Sequence, residues 1–403
     1  MKLIVHSGAD RIGASCLEIA SEKTRLIFDC GWPLAAEGDP VPPPVPGLFA
    51  EGSPPEALLL SHAHADHTGF LDQIRPRVPV YATALTSKTM QVGSLYARGV
   101  SIPRRVFREV PVPASWRESV TPILLGDLRV TAYPVDHSSP GAVGYLVEHG
   151  SERLFYTGDL RFHGWKNGMR RRIVGDLAGT LDLLITEGTN VGRPSRALKS
   201  EHAVMERACA LMRGHPSLVM AAYSPQNIDR FVSFFKAALR SYRTFVCDVY
   251  QAAVLQQLNL PSLPKPSRDG LRVFLPPHRR KIPAYEDRLG DAIISLEEIL
   301  ATPQRFLMLT RPSMMLDIAN QLPIGTRLLY GMWSGYRQTG AWRRVEQMLA
   351  ACGGEVHECH ASGHALEEDL FAFIQELAPR AVWPVHTTAA ETFRLRLTNS
   401  RLA

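Results

Sequence analysis

The chain has 403 residues, 45% of them hydrophobic and 21% charged, and a formal net charge of +6, which supports more than one packed core and excludes a disordered protein. No apolar run approaches the roughly 18 residues of a membrane span, and the modest positive balance suits a polyanionic partner without requiring one. Six cysteines (Cys16, Cys30, Cys209, Cys247, Cys352, Cys359) with no CxxC pair exclude a disulfide framework and read as reduced thiols of a cytoplasmic protein.

The N-terminal residues Met1–Gly8 are too short and polar a segment for a signal peptide. Lys2–His6, Cys16–Ala20 and Arg25–Asp29 read as strands, the first two joined by the loop Ser7 to Gly13. Prolines at positions 33, 40, 42 to 44, 46, 54 and 55 make residues 33–55 a surface loop, because proline offers no amide hydrogen to a helix or ladder. Ala57–Leu60 is a short buried strand that runs into Ser61-His62-Ala63-His64-Ala65-Asp66-His67.

Imidazole and carboxylate are the usual ligands of borderline divalent metals such as zinc. His62 and His64 lie two residues apart, so in an extended segment they face the same way. Asp66 and His67 are adjacent and can reach a second ion. One short loop therefore offers two ligands to each of two metals. With 14 histidines in the whole chain, such crowding is not an accident of composition.

Val80–Ala82, Arg129–Pro134, Arg153–Tyr156, Leu181–Ile185 and Ala381–Pro384 read as further strands. Between them, residues 196–355 alternate strands (Ser217–Ala222, Thr244–Val249, Phe306–Thr310, Arg327–Tyr330) with amphipathic helices (Gln226–Arg240, Gln251–Leu258). That alternation predicts a second α/β unit with its own core.

The HxHxDH run resembles the signature of the metallo-β-lactamase superfamily. The resemblance implies an αββα sandwich with metals at the edge of its two sheets, and further ligands at strand ends. His137, after Arg129–Pro134, matches the family's next histidine. Asp159, in Leu154-Phe-Tyr-Thr-Gly-Asp159, matches the metal-bridging aspartate, and Asp29 the aspartate that supports the ligand loop. Glu187 in Thr186-Glu187-Gly188, His364 in Ser362-Gly363-His364 and His386 in Pro384-Val385-His386 resemble motifs A, B and C of the β-CASP group, which includes ribonuclease J. That group inserts a second α/β domain between motifs A and B. The expected fold class is therefore α/β, an αββα metallo-β-lactamase sandwich over 1–195 and 356–403 with an inserted α/β β-CASP domain over 196–355.

The resemblance assigns His62, His64 and His137 to one ion, Asp66, His67 and His386 to the other, and Asp159 to both. Two divalent ions, zinc with manganese as the alternative, would lower the pKa of a shared water for attack on phosphorus. Asp66, Asp159, Glu187 and His364 form the catalytic set, with His364 as general acid oriented by Glu187. DNA-acting members of the group carry valine at motif C and RNA-processing members histidine, so His386 favours single-stranded RNA, cut in the cleft between the two domains. A DNA nuclease of the same fold, a lactonase- or thioesterase-like hydrolase, and a non-catalytic nucleic-acid-binding subunit are the competing readings.

Ser224-Pro225-Gln226-Asn227 reads as a helix start with Ser224 as cap, which with Arg230 can hold a phosphate. Ser362 and Gly363 match residues that contact a substrate phosphate in ribonuclease J-like enzymes. Arg161 to Lys166 and Arg170 to Arg172 either line a phosphate channel or form a solvated basic loop. Trp333 and Tyr336 either stack on bases or pack between the domains. Only a short segment follows His386, so the further C-terminal domain of ribonuclease J, and assembly through it, is not expected; a monomer or homodimer is.

Overall fold

The computed structural model describes residues 1–34, 39–96, 107–113, 115, 117–166, 168–193, 198–266 and 270–401. It divides into two compact units, Met1–Ser195 with Gly363–Ala403, and Arg196–Ser362. The expected junction at 195/196 falls at 194–197, outside the described residues.

The first unit holds two six-stranded sheets. One runs in chain order: β1 (Lys2–Ser7), β2 (Cys16–Ala20), β3 (Arg25–Phe28), β4 (Ala57–Leu59), β5 (Val80–Ala82) and β6 (Arg108–Glu109). The other is built from β7 (Ile123–Leu125), β8 (Leu128–Pro134), β9 (Val143–His149), β10 (Glu152–Tyr156), β11 (Leu183–Glu187) and the last strand, β19 (Ala381–Val385), in the order β19-β11-β10-β9-β8-β7.

Alternation along the strands decides what each face buries. Leu26, Phe28 and Leu59 of the first sheet join Val130, Ala132, Tyr145, Val147, Leu154 and Tyr156 of the second in one inter-sheet core. Ile27, Leu58 and Val80 point the other way, where Phe70, Leu71 and Met90 cover them. The outer face of the second sheet, with Leu146, Phe155 and Leu184, is covered by helices Met169–Leu177 and Glu367–Leu377. This is the expected αββα layering. The proline-rich segment is more than a surface loop, since Val45 and Leu48 are fully buried within it and pack into the outer core of the first sheet.

The second unit is a seven-stranded, wholly parallel sheet. Its strands are β12 (Val219–Ala222), β13 (Thr244–Asp248), β14 (Leu271–Phe274), β15 (Ile293–Ile294), β16 (Phe306–Leu309), β17 (Arg327–Tyr330) and β18 (Glu355–Glu358). β18 pairs with β17, so this unit runs to Ser362, not to 355. Central strands are covered on both faces, as parallel sheets require. Met220 and Leu328 pack against helices Pro312–Ile318 and Gly340–Ala351. Among the described residues no helix is long and apolar enough to cross a membrane.

Candidate metal centre

The centre lies in the first unit, at the carboxyl ends of β4, β8, β10, β11 and β19. β8, β10, β11 and β19 all run in one direction, so their ends converge on one edge. His62 and His64 follow β4, His64 in extended backbone, and Asp66 and His67 sit on a single helical turn, Ala65–Thr68. That turn packs so closely under Gly31 that a Cβ there would stand 1.6 Å from the Asp66 carbonyl oxygen.

Seven side chains form two groups, His62 with His64 and His137, and Asp66 with His67, Asp159 and His386, each with its ligand atoms within 4.8 Å of one another. His64 Nδ1 is 3.1 Å from His62 Nε2 and 3.2 Å from His137 Nε2. Nitrogens sharing one tetrahedral zinc stand about 3.3 Å apart, given bonds of about 2.0–2.1 Å. In the second group His386 Nε2 is 3.2 Å from Asp66 Oδ2 and His67 Nε2 is 3.3 Å from Asp159 Oδ2. Asp159 also reaches the first group, 3.8 Å from His62 Nε2.

The outer nitrogens are committed elsewhere. His67 Nδ1 donates to Asp29 (2.8 Å), and His137 Nδ1 to the Gly363 carbonyl (2.7 Å). His62 Nδ1 is 3.0 Å from the Ser61 hydroxyl, and His386 Nδ1 is 2.8 Å from that of Thr189. Such partners fix each ring's orientation and leave Nε2 for a cation. Asp29 is wholly buried in the left-handed region (φ 61°) and accepts from Ser61 N, Ser61 Oγ, Tyr156 OH and His67 at 2.7–2.8 Å.

Burial and the neighbouring rings push His62 and His137 well below the usual imidazole range, so both are neutral and free to ligate. Burial opposes charge on Asp159, but the rings of His386, His67 and His364 outweigh it and keep the carboxylate ionised. Both Asp159 oxygens and His67 Nε2 are buried without a hydrogen-bond partner. Buried polar atoms are rarely left so, and a cation among them satisfies all three. The donor set therefore fits divalent metal.

Glu187 ends β11, and its carboxylate accepts from the backbone N–H groups of Thr189 (2.8 Å) and Ala365 (3.0 Å), while the His364 ring lies 3.5 Å away. The His364 pKa is raised to about 9, because Asp159 and Glu187 outweigh the opposing effect of burial.

Several expected substrate contacts are placed otherwise. The helix starts at Ile228 with Asn227 as its cap, the Asn227 side chain accepting from Arg230 N, so Ser224 is an exposed residue before it. Arg230 is fully buried, in a salt bridge to Glu201 and bonded to the carbonyls of Gly331 and Ala361. Arg161 is likewise buried against Asp136, and Arg170 and Arg172 lie on a helix paired to Glu376 and Asp176. Each of these four arginines is paired with a carboxylate. Gly363 reaches the centre through its carbonyl on His137; Ser362 is half-buried. Trp333 and Tyr336 are exposed, in edge-to-face contact. Thr189 carries no sequence signal beyond its place two residues after Glu187.

Comparison with known proteins agrees with this geometry. Residues 24–218 match the model of the beta-lactamase superfamily domain, and residues 353–400 that of the Zn-dependent metallo-hydrolase RNA specificity domain. Ribonuclease J of Mycobacterium tuberculosis is 25% identical over 426 aligned residues, covering 100% of this chain and 71% of that protein. Transcription termination factor FttA of Methanothermobacter thermautotrophicus is 26% identical over 54% of this chain and 37% of its own length. A protein of unknown function from Enterococcus faecalis V583 shares the fold, with a TM-score of 0.79 at 22% identity over 97% of this chain and 95% of that one. The second match contains His364 and His386, the first contains the remaining ligands, and the chain therefore belongs to the metallo-β-lactamase superfamily, as a metallo-hydrolase carrying the RNA specificity domain of the β-CASP group.

Proposed function

We propose that the protein is a ribonuclease that hydrolyses phosphodiester bonds of single-stranded RNA with two divalent ions, zinc in preference to manganese. The observation that carries this reading is the joining of a complete seven-ligand centre to a match with an RNA specificity domain. When bound, the ions supply a water of lowered pKa as nucleophile and neutralise charge developing on the phosphate oxygens.

The chain's own residues do the rest. His62, His64 and His137 hold one ion, Asp66, His67 and His386 the other, and Asp159 lies between the groups. His364 stands beside them, its ring 3.6 Å from Asp159 and charged at neutral pH, able to give a proton to the departing ribose oxygen. Ser224, Ser362 and the exposed pair Trp333 and Tyr336 remain candidates for RNA contact.

The test offers end-labelled RNA and DNA of matched sequence to zinc-loaded protein. RNA is cleaved, Asp159→Ala abolishes cleavage, and His364→Ala retains zinc while turnover falls about 10²–10⁴-fold. Cleavage of DNA alone, or activity persisting in Asp159→Ala, would sink the reading.

A further inference from the structure

The hydroxyl of Thr189 touches two imidazoles with different tasks. Its oxygen is 2.8 Å from His386 Nδ1 and 3.2 Å from His364 Nδ1, and it donates to the His386 carbonyl at 3.2 Å. Thr189 is buried, two residues beyond Glu187. A hydroxyl has one hydrogen and two lone pairs. With its hydrogen on the carbonyl, both lone pairs accept, one from each Nδ1–H. His386 is then held in its Nδ1–H form, which leaves Nε2 as the ligand atom, while the His364 imidazolium, with a proton on each nitrogen, is oriented by Nδ1–H on the hydroxyl so that Nε2–H carries the working proton. For His386 that atom points at Asp66, within the metal group.

Glu187 is less able to do this. Its two oxygens are occupied at 2.8 and 3.0 Å by the backbone N–H groups of Thr189 and Ala365, and it stands 3.5 Å from His364. Glu187 thus fixes the backbone on either side, at the residue that carries the hydroxyl and at the residue after His364. Asn190 supports the same stretch by donating to the Ala365 carbonyl at 2.8 Å.

We propose that Thr189 is a positioning residue which, through one saturated hydroxyl, sets the tautomer of the metal ligand His386 and the orientation of the proton donor His364 together, while Glu187 fixes the backbone on either side of them. The inference rests on the metal-centre reading above but not on the identity of the substrate. It makes the two functions inseparable: a change at Thr189 disturbs metal affinity and proton delivery at once.

The experiment compares wild type, Thr189→Val, which keeps the volume and loses the hydroxyl, and Thr189→Ser, which keeps the hydroxyl. Zinc is titrated against a chelator, and the Nδ1–H of the His364 ring is read by ¹⁵N NMR on histidine-labelled, zinc-loaded protein, with His364→Gln identifying the His364 signal. In Thr189→Val the weaker of the two zinc sites is expected to lose affinity by about 10–100-fold, and the hydrogen-bonded Nδ1–H signal of His364 to be lost to exchange with solvent. Thr189→Ser is expected to restore both. An unchanged His364 Nδ1–H signal or an unchanged zinc affinity in Thr189→Val overturns the proposal, as does a Thr189→Ser variant as impaired as Thr189→Val. If RNA proves not to be a substrate, the ribonuclease reading fails while the titration and the spectra still decide the role of Thr189.

Discussion

At the residue scale the centre is a set of buried polar atoms with closely specified partners. Asp29 shows how tight this is, for its carboxylate accepts four hydrogen bonds from three residues while its backbone occupies the left-handed region. Asp29→Asn keeps that backbone accessible, because asparagine tolerates the same conformation, but replaces one acceptor oxygen with a donor. The His67 ring then loses its anchor. The expected outcome is a folded protein whose second zinc dissociates about 10–100-fold more readily, measured by chelator competition. His386 is also in the left-handed region, at φ 53°, its N–H donating to the Gly8 carbonyl. Non-glycine residues take that conformation rarely, and functional sites are where such cost concentrates.

At the element scale, the metal ligands were legible because HxHxDH is dense and each remaining ligand follows an apolar strand. Burial was less legible. In sequence Ser224 reads as the cap of the Ile228–Arg240 helix, because serine followed by proline is a common helix start. The structure uses Asn227. Arg230, read as a phosphate contact, is instead the partner of Glu201, both side chains wholly buried. An arginine near a helix start looks the same in sequence whether it faces solvent or a carboxylate from another helix. Arg230→Ala strands that carboxylate, so the variant is expected to lose about 3–5 kcal/mol in urea denaturation, and the double change Arg230→Met with Glu201→Leu to recover most of it. β9 escaped the reading because Pro140, Gly141 and Gly144 resemble a turn; Gly144 lies against the Phe155 ring, where a Cβ would stand 2.7 Å from it. β18, with the sequence Glu-Val-His-Glu, is an edge strand whose exposed polar residues carry no apolar signal.

At the scale of the whole molecule, protons and cations compete for one place. Burial alone would lower the His67 pKa, but Asp159 and Asp29 flank the ring and raise it well above the usual imidazole value. A raised folded pKa means that this ring's pairing stabilises the metal-free fold fully below the unfolded value of about 6.5, and that the contribution fades as pH rises through the folded pKa. Zinc must displace that proton, so its affinity is expected to rise with pH across the neutral range, one proton being released at this site. Calorimetry in buffers of different ionisation enthalpy reads that proton directly; a zinc affinity independent of pH would contradict it.

The pairing of β11 with β19 places neighbours in space that are far apart along the chain, Glu187 opposite Val385, with the whole second unit between them. Closing so long a loop adds little entropic cost, which grows only with the logarithm of its length. The consequence is temporal. A ribosome delivers residues in order, so Asp66, His67 and Asp159 are made long before His386, and the second metal group stays open through the synthesis of the inserted unit. The nascent first unit therefore spends that interval with its acidic residues gathered and their closing ligand not yet made.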